Sequence, residues 1–96
     1  IEAALYDINK AISIDANYSP AYNNKGVIYH QKKKYEEALS YFNQAILLNS
    51  NYAKALLNRG ITKQMLRDED GACNDWIKAK ELGINVANKY LVNDCN

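Results

Sequence analysis

The sequence predicts an all-α chain of about six helices, arranged as antiparallel pairs stacked side by side, and three observations carry that reading. The chain repeats at a period of 34 residues: Ala4 aligns with Ala38 and Ala72, Ala11 with Ala45 and Ala79, and Ile8 with Phe42 and Trp76. Within a period, apolar residues recur three and four apart, as in Ala38, Leu39, Phe42, Ala45, Ile46 and Leu48. That is the stripe of an amphipathic helix, and strand alternation is absent. Each full period is also punctuated at its middle, by Lys32-Lys33-Lys34 in one unit and by Asp68 in the next, so each divides into two helices.

The first helix is expected from Glu2 to Ile14. The second runs from Pro20 to Gln31, with Ser19 offering a capping hydroxyl ahead of a proline at the first helical position, where its missing N–H was unpaired anyway. The third covers Tyr35 to Leu48, where the apolar pattern resumes after the lysines. Asn17-Tyr18 aligns with Asn51-Tyr52, Ala21 with Ala55, Asn24 with Asn58, Lys25 with Arg59 and Gly26 with Gly60, which places the fourth helix from Ala53 to Leu66. Asp68 is the expected N-cap of the fifth, Glu69 to Leu82. A sixth, Val86 to Asp94, puts Ala87, Tyr90 and Leu91 on one side and Asn88, Lys89 and Asn93 on the other, as a polar cover for the end of a stack requires. Short connections make neighbours antiparallel, and Gly26 opposite Ala38, like Gly60 opposite Ala72, lets two backbones approach closely. The organisation expected is one domain: the second half of a repeat over 1–18, full repeats over 19–52 and 53–86, and a capping helix over 87–96.

Composition removes most function classes. Twelve Lys plus Arg against eleven Asp plus Glu leave a net charge of +1, too little to drive general nucleic-acid binding. The longest apolar run, Ala45-Ile46-Leu47-Leu48, falls far short of the ~20 residues a bilayer crossing needs, so membrane insertion is not expected either. One His, two Cys and four Gly leave little from which to build a metal cage, a catalytic triad or a phosphate loop; no enzymatic activity, metal or cofactor is expected. His30 reads as a surface imidazole. Lys32 to Lys34 read as a solvated turn, and Asp68-Glu69-Asp70-Gly71 as helix capping rather than a calcium loop. The chain opens with Ile1 rather than Met, and is read as a processed or excised piece whose targeting segment would lie outside it.

Tyr22, Gly26, Tyr29, Ala38, Phe42 and Ala45 stand at the spacing of a known signature, and so do Leu56, Gly60, Ala72, Trp76 and Ala79. In this the chain resembles the tetratricopeptide repeat family over nearly its whole length. Lys63 replaces the usual Tyr, Lys25 and Arg59 the usual Leu, and Ala16, Ser50 and Ile84 the usual Pro. The run from Gly71 to Gly83 resembles the final repeat of many bacterial members, and Leu82-Gly83 followed by Ala87 is similar to Sel1-like repeats. The resemblance implies a right-handed superhelical solenoid that binds a peptide segment or partner protein on a concave wall. Position by position it places Asn23, Asn24, Val27, His30 and Gln31 on that wall from one unit, and Lys54, Leu57, Asn58, Ile61, Gln64 and Met65 from the next. Asn24 and Asn58 would hold an extended chain, since a carboxamide offers donor and acceptor together, while Val27, Leu57, Ile61 and Met65 would supply apolar pockets. Some members clamp the acidic C-terminus of heat-shock chaperones. Asn24 and Lys54 match two positions of that clamp, but Asn58 stands where a third carries Arg or Lys, and a carboxylate would lose its charge-assisted bond there.

Two further expectations concern the ends. The first helix lacks the partner that would cover its inner side, leaving Leu5, Ile8 and Ile12 partly exposed for an upstream repeat or for self-association into a homo-oligomer; a structural, self-associating role is the alternative function. Cys73 and Cys95 flank the Gly83-Ile84-Asn85 turn symmetrically, so antiparallel helices would bring them level for a disulfide. Beside this stands the reading of Cys73 as a small buried hydrophobe and Cys95 as a helix end. The default location is cytoplasmic, and the bond would indicate an exported protein.

Overall fold

The computed structural model describes residues 2–95; Ile1 and Asn96, the outermost residues of the expected first unit and cap, lie outside the described residues. Six helices follow in order: α1 Glu2–Ile14, α2 Ser19–Gln31, α3 Tyr35–Leu48, α4 Ala53–Met65, α5 Glu69–Glu81 and α6 Ala87–Asp94. Each packs on the next, and α2 also touches α4 across the stack, giving a body 42 × 25 × 18 Å.

The ends of the helices agree with the sequence to within one residue, with one difference in chemistry. α2 begins at Ser19, and its cap position is Tyr18, which makes no side-chain cap bond. Ser19 is buried inside the first turn rather than capping it, and Pro20 takes the second helical place, where its missing N–H is equally harmless. Asp68 does cap α5, accepting the Gly71 N–H at 3.0 Å, which contributes about 1 kcal/mol.

Three of the reversals close alike. Lys33, Arg67 and Gly83 adopt positive φ of 62°, 66° and 102°. The next residue's N–H then reaches back to a carbonyl of the last turn: Lys34 to Tyr29, Asp68 to Lys63 and Ile84 to Ala79, at 2.8 to 3.0 Å. These are Schellman closures, which satisfy otherwise orphaned carbonyls. The lysine run is therefore a turn, with Lys33 at its left-handed corner.

The core is built from rings set against glycines. A Cβ on Gly26 would lie 2.6 Å from Phe42 Cε1, and one on Gly60 2.7 Å from Trp76 Cδ1. Both rings are at most 1% exposed, so neither can retreat. What stands nearest each glycine is thus the ring four residues beyond the expected alanine, because a helical side chain leans over the turn N-terminal to its own Cα. The Trp76 indole N–H donates to the Leu57 carbonyl at 3.3 Å, and Tyr90 of α6 stacks on the ring with centroids 5.0 Å apart. Ala87 is fully buried beneath. A disulfide joins Cys73 to Cys95 with Cα atoms 5.9 Å apart, so α6 is pinned to α5 by a covalent bond as well as by packing. Closing a loop of this 22-residue separation removes about 3 kcal/mol of chain entropy from the unfolded state.

A second set of positions ties successive helices together, and its chemistry changes from one unit to the next. Lys25 donates to Asn9 Oδ1 at 2.8 Å and lies 4.7 Å from the centre of the Tyr41 ring, which stacks on Tyr29 at 5.0 Å. Thirty-four residues on, Arg59 donates to Asn43 Oδ1 at 3.1 Å and grips Asp75 with two bonds of 2.8 and 2.7 Å, while Lys63 approaches the same carboxylate at 3.2 Å. The departures at Arg59 and Lys63 are therefore matched by Asp75, which stands where the preceding unit has Tyr41. We predict that Asp75→Tyr alone costs about 2 kcal/mol, because it strands two cations on a half-buried surface. The combination Arg59→Lys, Lys63→Tyr, Asp75→Tyr is expected to recover most of that loss. Urea denaturation of the singles and the triple decides: simple additivity would show that these positions do not act as a set.

Candidate peptide-binding site

The residues that line the inner side of α2 and α4 come from helical spacing alone. Val27 stands three and four residues before His30 and Gln31 on α2, and Asn58 stands three before Ile61 on α4. Between the two helices they surround a hollow of about 170 Å³ whose floor is the Phe42 ring of α3. Phe42 belongs to the site although its place in the apolar stripe reads as core. The signal was Gly26, whose missing side chain lets the ring pack up against α2 at the base of the hollow.

The other wall residues are distributed differently. Asn24 and Lys54 are exposed, and Met65 is 50% exposed. Leu57 is half-buried and packs with Leu56, Trp76 and Ala87 under the cap. Gln64 lines a second, polar hollow of about 200 Å³ with Glu69, Cys73, Trp76, Asn93 and Asp94. Asn23 is only 5% exposed and is committed inside the structure. Its Oδ1 accepts the Asn58 Nδ2–H at 3.1 Å, so it braces the wall from behind rather than facing solvent. It also hydrogen-bonds the Tyr52 phenol, which burial holds above its ordinary 10.0 against the opposing effect of that bond.

Thr62 completes the arrangement, and nothing in the helical pattern singled it out. It occupies the position of Ile28 one period earlier and is fully buried. Its hydroxyl donates to the Asn58 carbonyl at 3.2 Å and lies 2.9 Å from His30 Nδ1. One hydroxyl serves both neighbours, so the contact orients the imidazole in either tautomer. His30 is thus a half-buried, oriented ring rather than a surface imidazole, set edge-on to Tyr35 with centroids 5.0 Å apart. Burial lowers its pKa below 6.5 and keeps it neutral at physiological pH.

Antiparallel helix pairs stacked around an inner wall with a shaped hollow define a helical-repeat interaction scaffold. The family profile described as Tetratricopeptide repeat matches residues 19–52. Among solved structures, the second TPR of Spaghetti (RPAP3), bound to the HSP90 peptide SRMEEVD, is 31% identical with a TM-score of 0.80, covering 84% of this chain and 75% of that one. The first TPR of Spaghetti (RPAP3), bound to the same HSP90 peptide, is 28% identical with a TM-score of 0.86, over 92% of this chain and 71% of that one. The second TPR domain of the human RPAP3 protein, in complex with the HSP70 peptide SGPTIEEVD, is 28% identical with a TM-score of 0.85, over 96% and 78%. No curated protein sequence matches the chain. The chain belongs to the tetratricopeptide repeat family.

The His30 network has a pH signature. Its folded pKa is depressed, so the unfolded state binds the proton more readily; the contribution of the neutral ring is present above about pH 6.5 and is lost as the pH falls below it. An NMR titration of the imidazole should give a midpoint below 6.5, moving up towards that value in Thr62→Val if the ring becomes more exposed. A midpoint above 6.5 in the native protein would contradict the buried, neutral assignment.

Proposed function

We propose that this chain is a noncatalytic module that binds a peptide segment or a partner protein along the wall formed by α2 and α4. The observation that carries the reading is the hollow itself, where Val27, His30, Gln31, Asn58 and Ile61 converge over Phe42. The related RPAP3 domains, whose structures hold HSP90 and HSP70 peptides, support the same use of the fold here. Asn24, exposed on α2, and Asn58, on α4, are positioned to meet an extended backbone as it crosses the wall.

A second reading rests on α1. None of its residues is buried, and Tyr6 and Ile14 remain 66% and 78% exposed, so this edge suits a second copy or a further repeat. Affinity capture from extract separates the two. Asn24→Ala with Asn58→Ala should reduce the captured partner at least tenfold, and Val27→Lys should do so without disturbing the Asn58–Asn23 bond. Unchanged capture by both variants, together with a stable dimer in light scattering, would favour the edge over the wall.

The Cys73–Cys95 disulfide supports a chain that works in an oxidising compartment, because cytosolic thiols are kept reduced. Alkylation of the native protein without reductant is expected to label neither cysteine; labelling of both in protein drawn from its own cells would place it in a reducing compartment.

A further inference from the structure

The hollow between α2 and α4 is neutral throughout. Val27 lines it from α2 and Ile61 from α4, the Phe42 ring closes its base, and His30, Gln31 and Asn58 supply the polar atoms. None of the six carries a formal charge at physiological pH, since burial keeps His30 neutral. The cations borne by the two helices are engaged or placed elsewhere. Lys25 is bonded to Asn9, Arg59 and Lys63 hold Asp75, and Lys54 is exposed and does not line the hollow. The neighbouring hollow, which has Gln64 in its lining, adds Glu69 and Asp94 with no lysine or arginine among the residues around it.

A carboxylate entering the first hollow would give up water for Val27 and Ile61 and meet no cation, and an ammonium would meet no carboxylate there. An apolar side chain gains by the same transfer. Phe42 is only 1% exposed, so no ring face is open for stacking and the contact falls to the two branched aliphatics. Size agrees: an apolar cavity of roughly 150 Å³ holds a benzene ring, and this hollow is about 170 Å³. Asn58 keeps one Nδ2–H and its Oδ1 after bonding Asn23, and the Gln31 carboxamide has the same mixed character, so both suit the peptide groups that flank a seated side chain. Taking the wall as a peptide site, we propose that the hollow anchors one uncharged aliphatic side chain, of leucine, isoleucine or methionine size, from a segment with no acidic residue beside it. Val27 and Ile61 are its specificity residues. The peptides SRMEEVD and SGPTIEEVD held by the RPAP3 domains both end in an acidic run, so the ligand class selected here is a different one.

The test uses defined probes on the isotopically labelled chain, N-acetyl-Gly-X-Gly-amides with Leu, Gln or Glu at X, followed through the methyl resonances of Val27 and Ile61. The Leu probe should shift both and bind roughly tenfold more tightly than the Glu probe, the penalty for a carboxylate set against hydrocarbon without a cation; the neutral Gln probe should fall between them. SRMQQVN, in which amides replace the acidic side chains of SRMEEVD, should bind more tightly than SRMEEVD itself. Val27→Ala widens the hollow and should move the preference from Leu towards Phe at X, a change that altered stability alone does not produce; the melting temperature serves as the control on folding. Equal binding of the Leu and Glu probes overturns the proposal, as does tighter binding of SRMEEVD than of SRMQQVN. If no probe shifts Val27 or Ile61 while capture from extract still depends on Asn24, Asn58 and Val27, the aliphatic anchor alone is wrong. If that dependence is absent as well, the wall is not the peptide site.

Discussion

Gly26 on α2 and Gly60 on α4 leave space that the rings of Phe42 and Trp76 fill, and the separation of each helix pair follows from that contact. A close-packed interior has no room to absorb an added methyl where a ring is at most 1% exposed, so the ring and the glycine act as one part made from two helices. The consequence reaches the hollow between α2 and α4. Phe42 reaches the base of the hollow between α2 and α4 because Gly26 leaves room for the ring, so the constraint that sets the packing also shapes the hollow.

Around these fixed contacts the protein varies its chemistry. Lys25, Tyr29 and Tyr41 hold one junction through cation–π and ring stacking; Arg59, Lys63 and Asp75 hold the next through hydrogen-bonded ion pairs. Asn9 and Asn43 serve both in the same way, each accepting a hydrogen bond from the cation one helix on. Sites on a repeat recur in space as well as in sequence, so a change at one position is compensated at the position that meets it. This explains why Lys63 stands in place of a tyrosine without loosening the stack.

The wall obeys a stricter rule. Among the described residues, every buried side-chain nitrogen or oxygen has a hydrogen-bond partner. Asn23 and Thr62 are buried polar groups bonded to Asn58 and His30, and those bonds orient the two side chains. Such networks also orient side chains in advance of binding, which lowers the entropy lost when a ligand arrives.

The period and the six helices were legible in the sequence, since helical spacing is a local property and a 34-residue repeat copies it along the chain. Several features depend on partners distant in sequence. Asn23 bonds Asn58 across 35 residues and His30 meets Thr62 across 32, and neither pairing is written in a helical period. Ser19 carries the signature of a cap yet lies within the first turn of α2, because the chain before it enters helix one residue earlier. Cys73 and Cys95 were placed level by symmetry about a turn, but whether they bond depends on how closely α6 settles over Trp76. Local pattern therefore established the helices and the sides they turn inward, while three-dimensional packing decided which polar side chains are committed to the interior, because a buried polar atom must find its partner and that partner lies far away in sequence.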